Sequence, residues 1–503
     1  MQQYNSLPLK SKKKLYSNIS RKIKSLPLLT KENSYSSNVD HSNDFIFFGC
    51  WNNINCSEDL IYRNIVLELL KLTNLGKHIV LAGDNWYNQK TDKKTDKKTD
   101  KKTDKKTDQK TDKKTDQKTD QKTDQKTDKK TKEDTKHYST YVLKTGYELL
   151  FKASTDVAIV LGNHDITEDS LELPIDTRKI ESLQDLHLFC EKLGCKVKVQ
   201  AFIIENVLKG YSVEPNFFTN YHINNKISNY TDIDVSINDN VSLYTCRPHI
   251  VMKTPGIYFL YLNTNVFQSD LNTINKYRES VEEELKKLKE NKINLLFIVG
   301  HHPFAGLKDK KGLSVKNVSE LYFKSKSSPK KDKRIEAIYS FLDIFVNYKS
   351  IYLCADIHNF QICKLHSGML NSEMCMVICG SGGANQDLIG DYDNFNSPIE
   401  QPLTDSENGY VVKDLYVHNA YGFCNISYSA RGNKAKVQYF KIIDDKIKYN
   451  IFTYTLNYNK STKSWNITKN VSSMVKSKKT TEQFISSEHC EKLVSDEYRN
   501  NCK

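Results

Sequence analysis

Six short, continuous runs of apolar residues recur along the chain, and polar or glycine-containing segments separate them. Runs of this length without alternation are typical of β-strands that are buried on both faces, as in the parallel part of an α/β sheet. The predicted strands are 45–48, 78–82, 156–161, 258–263, 293–299 and 350–355.

Helical patterns lie between several of these strands. The predicted helices are 57–72, 137–152, 270–292 and 331–347. The first begins at Ser57, a suitable N-cap residue, which Glu58 and Asp59 follow. Residues 421–446 alternate apolar and polar positions around Arg431-Gly432-Asn433, which predicts a β-hairpin. Strands alternating with helices predict an α/β fold.

Polar residues that bind metals follow four of the predicted strands directly. The segments are Gly83-Asp84-Asn85-Trp86-Tyr87, Gly162-Asn163-His164-Asp165, Gly300-His301-His302-Pro303 and Asp356-Ile357-His358-Asn359. The carboxyl ends of such strands meet along one rim of a sheet, where α/β folds bind ligands. Asp, Tyr, Asn and His suit hard or borderline metals. Four such segments in order predict a hydrolase site that holds two metal ions.

This order of motifs resembles the calcineurin-like metallophosphoesterase superfamily and, within it, the purple acid phosphatases. Tyr87, three residues after Asp84, is typical of that branch, and Ile378-Cys379-Gly380-Ser381-Gly382-Gly383 is similar to a late glycine-rich turn of the family. The resemblance covers residues 43–460 apart from one insertion. It implies an α/β (α+β) fold of two packed mixed β-sheets flanked by helices, a four-layer sandwich.

The resemblance also implies two sets of metal ligands that share Asp84. The first set is Cys50, Asp84, Tyr87 and His358, and the second is Asp84, Asn163, His301 and Asp356. Cys50 stands where the family has an Asp, and Asp356 stands where it has a His. Both replacements are still able to bind metals, a softer one at the first position and a harder one at the second.

The implied chemistry is hydrolysis of a phosphoric ester by a hydroxide that two divalent or mixed-valence ions of iron, zinc or manganese activate. His164 would donate a proton to a phosphate oxygen or to the leaving group, and Asp165 would orient it. His302 would face the substrate. A phosphorylated small molecule or a phosphoprotein is the expected substrate.

Several of these residues have a structural alternative. Cys50 also fits a small buried apolar side chain, Tyr87 an ordinary half-buried aromatic residue, and Asp356 a turn or capping residue. His302 also fits a packed histidine. Two functions follow: a phosphomonoesterase with an altered ligand set, or a pseudophosphatase that serves as a binding or scaffold module. The ligands that remain favour the enzyme.

Charge is concentrated outside the predicted domain. The chain has 503 residues and a formal net charge of +14 at pH 7. The first 31 residues contain eight basic residues and no acid, and residues 90–136 contain 19 lysines and 12 acids. The remainder is therefore nearly neutral, which argues against a nucleic-acid-binding fold. The predicted organisation is a basic tail (1–42), the domain (43–460) with an insertion at 88–137, and a C-terminal extension (461–503).

The insertion repeats Thr-Asp-Lys-Lys or Thr-Asp-Gln-Lys from Thr91 to Thr131. It contains no apolar residue, so it cannot form a core. Its lysines would attract an anionic substrate, or alternatively the repeat is an expansion that has no function. The alternating aspartates cancel much of the field, which favours the second interpretation.

The predicted compartment is the cytoplasm. Residues 1–30 lack the apolar run of a signal peptide, no run is long enough for a membrane span, and the 12 cysteines include no C-x-x-C pair. Between the basic residues of the N-terminal segment, apolar residues recur at a helical spacing, at Leu15, Ile19, Ile23 and Leu26. This pattern predicts a short helix that contacts a membrane surface weakly. The alternatives are a solvated tail or an import signal. The sequence does not indicate an oligomeric state.

Overall fold

The computed structural model of the chain describes its central part, with gaps. The described residues are 43–52, 62–63, 65–67, 69–70, 78–85, 87, 146–147, 149–150, 153–154, 156–165, 235–238, 241–244, 248–288, 293–308, 315–323, 333–384, 386–387, 401–403, 409–442 and 449–474. The basic tail and the repeat insertion lie outside this part, so what the sequence predicts for them stays a prediction. Most of residues 173–240 also lie outside it.

A nine-stranded mixed sheet contains the first three predicted strands. In spatial order it consists of β19 (Ser464–Met474), β18 (Tyr449–Asn459), β17 (Lys434–Ile442), β16 (Gly422–Tyr428), β1 (Asp44–Phe48), β2 (His78–Ala82), β3 (Asp156–Val160), β5 (Val241–Tyr244) and β4 (Val235–Asn238). Strands β1, β2, β3 and β5 are parallel, and the others pair antiparallel. The predicted hairpin is confirmed as β16 and β17.

An eight-stranded mixed sheet contains the other three predicted strands. In spatial order it consists of β14 (Gln401–Pro402), β15 (Tyr410–His418), β12 (Phe360–Ser367), β13 (Ser372–Cys379), β11 (Ser350–Cys354), β8 (Leu295–Val299), β7 (Ile257–Tyr261) and β6 (His249–Thr254). Strands β7, β8, β11 and β13 are parallel. A small separate ladder pairs β9 (Ala305–Gly306) with β10 (Lys316–Asn317).

Helices cover the outer faces of the sheets. The described α-helices with defined bounds are α1 (Leu271–Lys286), α2 (Val318–Tyr322) and α3 (Lys333–Phe345), and two 3₁₀ turns span Asn163–Asp165 and Thr264–Gln268. Asp270 caps α1 by accepting the Thr273 N–H, and the described positions within 62–70 and 146–150 are also helical. No described helix is long and apolar enough to cross a membrane.

The core lies between the two sheets, and a second apolar layer lies under α1 and α3. Phe45 of β1 meets Phe259 of β7 and Phe297 of β8 edge to face, with ring centroids 5.1 Å apart in both pairs. The alternate residues of the eight-stranded sheet point the other way and pack against helix residues such as Tyr277 and Phe341. Because the central parallel strands are covered on both faces, they are continuously apolar. The predicted fold of two packed mixed sheets flanked by helices is confirmed.

The nine-stranded sheet continues past residue 460, where the sequence analysis ends the domain. Strand β19 pairs antiparallel with β18, and its Trp465 and Ile467 are buried in the core. Most of its other side chains are polar, because an edge strand has one neighbour and much of its surface faces water. Its weak pattern explains why the sequence analysis placed these residues in an extension.

Candidate metal centre

The predicted ligands converge at the carboxyl ends of parallel strands from both sheets. Cys50 follows β1, Asp84 follows β2 and Asn163 follows β3, all in the nine-stranded sheet. His301 follows β8 and Asp356 follows β11, both in the eight-stranded sheet. The site therefore sits at the seam between the sheets, on the rim where parallel strands deliver their side chains.

Three of these residues adopt left-handed backbone conformations. Cys50, Asp84 and Asp356 have φ values of 50°, 52° and 58°. Such a conformation costs a residue with a Cβ on the order of 1–2 kcal/mol, and strain of this kind clusters at functional sites. The turns at the three strand ends therefore aim these side chains at one point at the expense of local stability.

Close backbone contact between two of the motifs leaves no room for a side chain at Gly162. A Cβ on Gly162 would lie 2.2 Å from Asp84 Oδ1 and 2.3 Å from the Asp84 backbone nitrogen. The glycine is thus required for the second and third strands to bring Asp84 and Asn163 together.

Asp84 lies at the centre of the cluster, and its two carboxylate oxygens face different groups. Oδ2 accepts a hydrogen bond from the Tyr87 hydroxyl at 2.9 Å and lies 3.8 Å from Cys50 Sγ. Oδ1 accepts the His164 backbone N–H at 2.9 Å and lies 3.3 Å from His301 Nε2. This arrangement divides the site into two halves that share the Asp84 carboxylate. The Cys50 half consists of Cys50, Tyr87 and His358, and the His301 half consists of Asn163, His301 and Asp356.

The Cys50 half contains a buried thiol and a buried phenol beside the half-buried imidazole of His358. The Tyr87 hydroxyl also lies 3.1 Å from His358 Nε2, so the four residues of the first predicted set adjoin one another. Burial, together with the charge of Asp84, raises the pKa of Cys50 and that of Tyr87 well above their ordinary values. In the absence of a metal ion the thiol and the phenol are therefore protonated. Cys50 and Tyr87 each direct a polar atom at Asp84, and their role as metal ligands stays a prediction.

The His301 half contains paired charges. His301 Nε2 lies 3.0 Å from Asn163 Oδ1 and 3.9 Å from Asp356 Oδ1. Asp356 Oδ2 in turn accepts from Lys308 Nζ at 2.9 Å. Burial opposes the protonated form of His301, but the adjacent Asp84 outweighs it and raises the pKa of His301 to about 9.

The carboxylates of this half respond in the opposite direction. Burial alone would raise the pKa of Asp84 and of Asp356. For Asp84 the neighbouring His301 lowers it, and for Asp356 the ammonium of Lys308 does so. Both are ionised at neutral pH. The pKa of Lys308 is raised, since Asp356 outweighs the partial burial of the ammonium group.

The structure places His302 behind the site. Its ring is fully buried, with Nδ1 3.0 Å from Thr264 Oγ1 and Nε2 2.8 Å from Gln268 Nε2. Burial and the neighbouring His301 lower its pKa to about 3, so the ring is neutral. Both ring nitrogens are already hydrogen bonded within the protein, which favours the packed histidine over the group that faces the substrate.

Asp165 ties the second and third motifs together. Its carboxylate accepts the backbone N–H groups of Gly162 and Asn85 and the Asn85 side-chain amide, at 2.8–3.2 Å. These bonds hold the loop that carries Asn163 against the loop that carries Asp84. His164 is half-buried and its ring lies against Tyr87, with centroids 4.4 Å apart. Its predicted proton transfer, and the orienting effect of Asp165 on it, stay predictions.

Two polar residues of the site are absent from the sequence prediction. Lys308 pairs with Asp356, and Asp387 accepts the His358 backbone N–H at 2.9 Å through Oδ2. Asp387 is the first acidic residue after the glycine-rich turn at 380–383, and its position close to that turn is the sequence signal that could have identified it. Lys308 is followed in the sequence by Asp309, Lys310 and Lys311, and no local pattern distinguishes it from the other two lysines.

The donors present fit a metal ion. Ligand atoms of Cys50, Asp84 and His301 all lie within 4.8 Å of one another, and so do those of His301, His302 and Asp356. His301 Nδ1 lies 2.7 Å from the Ala82 carbonyl oxygen, which orients the ring and directs Nε2 into the site, as outer partners of metal-binding histidines do. In the second group Asn163 is the better third donor, because His302 is engaged elsewhere.

The chain matches no protein-family model, and no curated protein matches its sequence. Among solved structures it is similar to GAP50, described as the anchor in the inner membrane complex of Plasmodium, with 12% identity over 83% of this chain and 89% of that chain and a TM-score of 0.38. It is also similar to PhoD, with 10% identity over 92% of this chain and 76% of that chain and a TM-score of 0.43. Both similarities are distant, and the chemistry of the site follows from this chain's own residues.

Proposed function

We propose that the chain is a metal-dependent phosphoric ester hydrolase that acts on phosphate monoesters. The observation that carries this proposal is the position of Asp84. Its two oxygens face two separate groups of ligand-type side chains, as expected of a carboxylate that bridges two metal ions. The buried, ionised carboxylate also lies among histidine, amide, phenol and thiol groups, all of which can bind a metal ion.

The ligand-type residues of the site would hold two metal ions. Cys50, Tyr87 and His358 would hold one ion and Asn163, His301 and Asp356 the other, with Asp84 setting their separation. Metal ions held by these residues would supply the polarisation of a phosphoryl oxygen and the activation of water.

Two further groups near these ligands have separate tasks. His164 is only half-buried at the edge of the site, so it is the group best placed to donate a proton to the leaving group. Asp165 keeps the His164 loop in place through its bonds to Gly162 and Asn85.

The substrate we propose is a phosphorylated small molecule or a phosphoprotein. The segments expected to govern access, including the repeat at 88–137, lie outside the described residues. The cytoplasmic location and the weak membrane contact through residues 1–31 are proposals of the same kind, and they rest on sequence alone.

Metal content and turnover of p-nitrophenyl phosphate, measured on the same samples of wild-type protein and an Asp84→Asn variant, test the proposal. We expect about two metal ions per wild-type chain after supplementation, and a loss of turnover on the order of 10³-fold in the variant, because it removes the shared ligand. Asp343→Asn is the matched control, since that carboxylate accepts from Ser367 and Tyr410 outside the site.

A wild-type protein that stays inactive and metal-free after supplementation with iron, zinc and manganese would overturn the proposal. The fold would then serve as a binding or scaffold module. Equal turnover in the wild type and in Asp84→Asn would overturn it as well, since the activity would come from elsewhere.

A further inference from the structure

Lys308 is held in place beside the candidate metal centre. The backbone of the preceding residue, Leu307, is bound on both sides by the buried amide of Gln361, which accepts its N–H at 3.0 Å and donates to its carbonyl at 2.8 Å. The Lys308 ammonium then reaches Asp356 Oδ2 at 2.9 Å. Its side chain is 33% exposed, while that of Asp356 is 11% exposed. This pair therefore differs from two mobile groups on an open surface.

The Asp356 carboxylate is shared between two neighbours. Oδ2 is bound to Lys308, and Oδ1 points at His301 Nε2, 3.9 Å away. A metal ion held by His301 and Asp356 would therefore bind a carboxylate that already carries an ammonium ion. Two cations on one carboxylate repel each other, and the repulsion is strong where water is largely excluded.

Among the described residues, no lysine or arginine pairs with Asp84 in the Cys50 half, and the two imidazoles there, His164 and His358, adjoin Tyr87. The groups that face Asp84 Oδ2 there are a thiol and a phenol, both of which can lose a proton to a metal ion. Negative charge can develop in that half, whereas the His301 half is already neutralised by a lysine. An arriving metal ion therefore meets a more negative electrostatic potential in the Cys50 half than in the His301 half.

We propose that Lys308 acts as a resident counter-ion of Asp356 and competes with a metal ion at the His301 position. The chain then binds one ion tightly, in the Cys50 half, and a second ion weakly. The second ion binds only when it outcompetes the ammonium group for Asp356. This inference rests on the proposed function for its metal ions, and it adds that Lys308 controls occupancy of the second position.

Metal binding to the full-length chain, stripped of metal by chelation, tests the inference without any measurement of turnover. Zn²⁺ or Mn²⁺ is titrated by calorimetry, and bound metal is counted by mass spectrometry after dialysis. The variants are Lys308→Met, which keeps the length and removes the charge, and Lys308→Arg, which keeps the charge. Lys364→Met is the matched control, because Lys364 forms a 2.8 Å ion pair with Asp414 outside the metal-binding residues.

We expect the wild type, Lys308→Arg and Lys364→Met to bind one ion tightly and one weakly. In Lys308→Met the second ion should bind about 10- to 100-fold more tightly, a coupling in the usual range between two binding events, while the first ion is little affected. Thermal unfolding of each metal-free variant establishes that it is folded.

Two equally tight ions in the wild type would overturn the inference and leave the proposed function standing. An unchanged second affinity in Lys308→Met would do the same. A chain that binds no metal in any variant would overturn both.

Discussion

The two halves of the metal centre share Asp84 but balance its charge in different ways. On the Cys50 side the carboxylate accepts from a neutral phenol and lies beside a neutral thiol, because burial raises the pKa of both. On the His301 side two carboxylates face two cations, the His301 imidazolium and Lys308. A metal ion in the Cys50 half must therefore displace protons from Cys50 and Tyr87. A metal ion in the His301 half must instead replace the positive charges of the His301 imidazolium and Lys308.

The identity of the ligands alone is therefore not enough to predict how tightly each half would bind a metal ion. Both halves keep the residue types that bind metals, and each combines buried with half-buried residues. Their affinities are nevertheless expected to differ, since the free energy of binding includes the removal of whatever balances the ligands beforehand.

The largest effect is expected from a change that damages both halves at once. In Gly162→Ala the new methyl group would overlap the backbone and carboxylate of Asp84, so we expect a loss of about 3 kcal/mol or more in the free energy of unfolding. Chemical denaturation measures it. Gly146→Ala is the control, because the three atoms nearest its methyl group would belong to the Asn52 side chain and not to Asp84. Equal losses in the two variants would show that Asp84 is not tightly held.

A pH dependence is expected to distinguish the His301 half in metal-free protein. The pKa of His301 is raised from 6.5 to about 9, so its stabilising effect is complete below pH 6.5 and disappears as the pH rises through 9. The complete loss amounts to about 3.5 kcal/mol, at about 1.4 kcal/mol for each of the roughly 2.5 pH units between 6.5 and 9. Chemical denaturation at pH 6, 7.5 and 9 should show this loss in the wild type and not in His301→Gln.

His302 provides the contrast in the same experiment. Its pKa of about 3 keeps the ring neutral in the folded protein throughout this pH range, so His302 affects stability only through the unfolded chain, near pH 6.5. His302→Gln should therefore keep the wild-type loss of stability between pH 7.5 and 9. Parallel profiles for the wild type and His301→Gln would contradict the charge balance described for this half.

The smallest effect is expected in the Cys50 half. Cys50→Ser exchanges a soft donor for a hard one, so we expect affinity for Cd²⁺ to fall about tenfold and affinity for Mn²⁺ to change little. Titration with Co²⁺ adds a spectroscopic measure, a thiolate-to-metal absorption band in the near ultraviolet. Cys354→Ser is the control, since that buried thiol donates to the Val377 carbonyl and not to the site. A band that persists in Cys50→Ser would remove Cys50 from the ligand set.

Much of the fold could be predicted because its signals are local. The six apolar runs all form strands, and the hairpin follows from alternation around Gly432. The helix predicted at 331–347 is found as α3, two residues shorter at each end. The edge strand β19 is absent from the prediction because Trp465 and Ile467 are the only buried residues within 464–470, too few for a strand pattern. Its pairing with β18 is what makes it a strand.

The sequence by itself determined the strands, their order with the helices, and which metal-binding residues end them, because each of these depends on a few neighbouring residues. Only the tertiary structure decided which of these side chains share a site. It turned His302 away to Thr264 and Gln268, engaged Asp165 with the backbone of two loops, and placed Lys308 against Asp356. The physical reason is that charge balance and hydrogen bonding in a buried site depend on partners that are distant in the chain, so no local pattern records them.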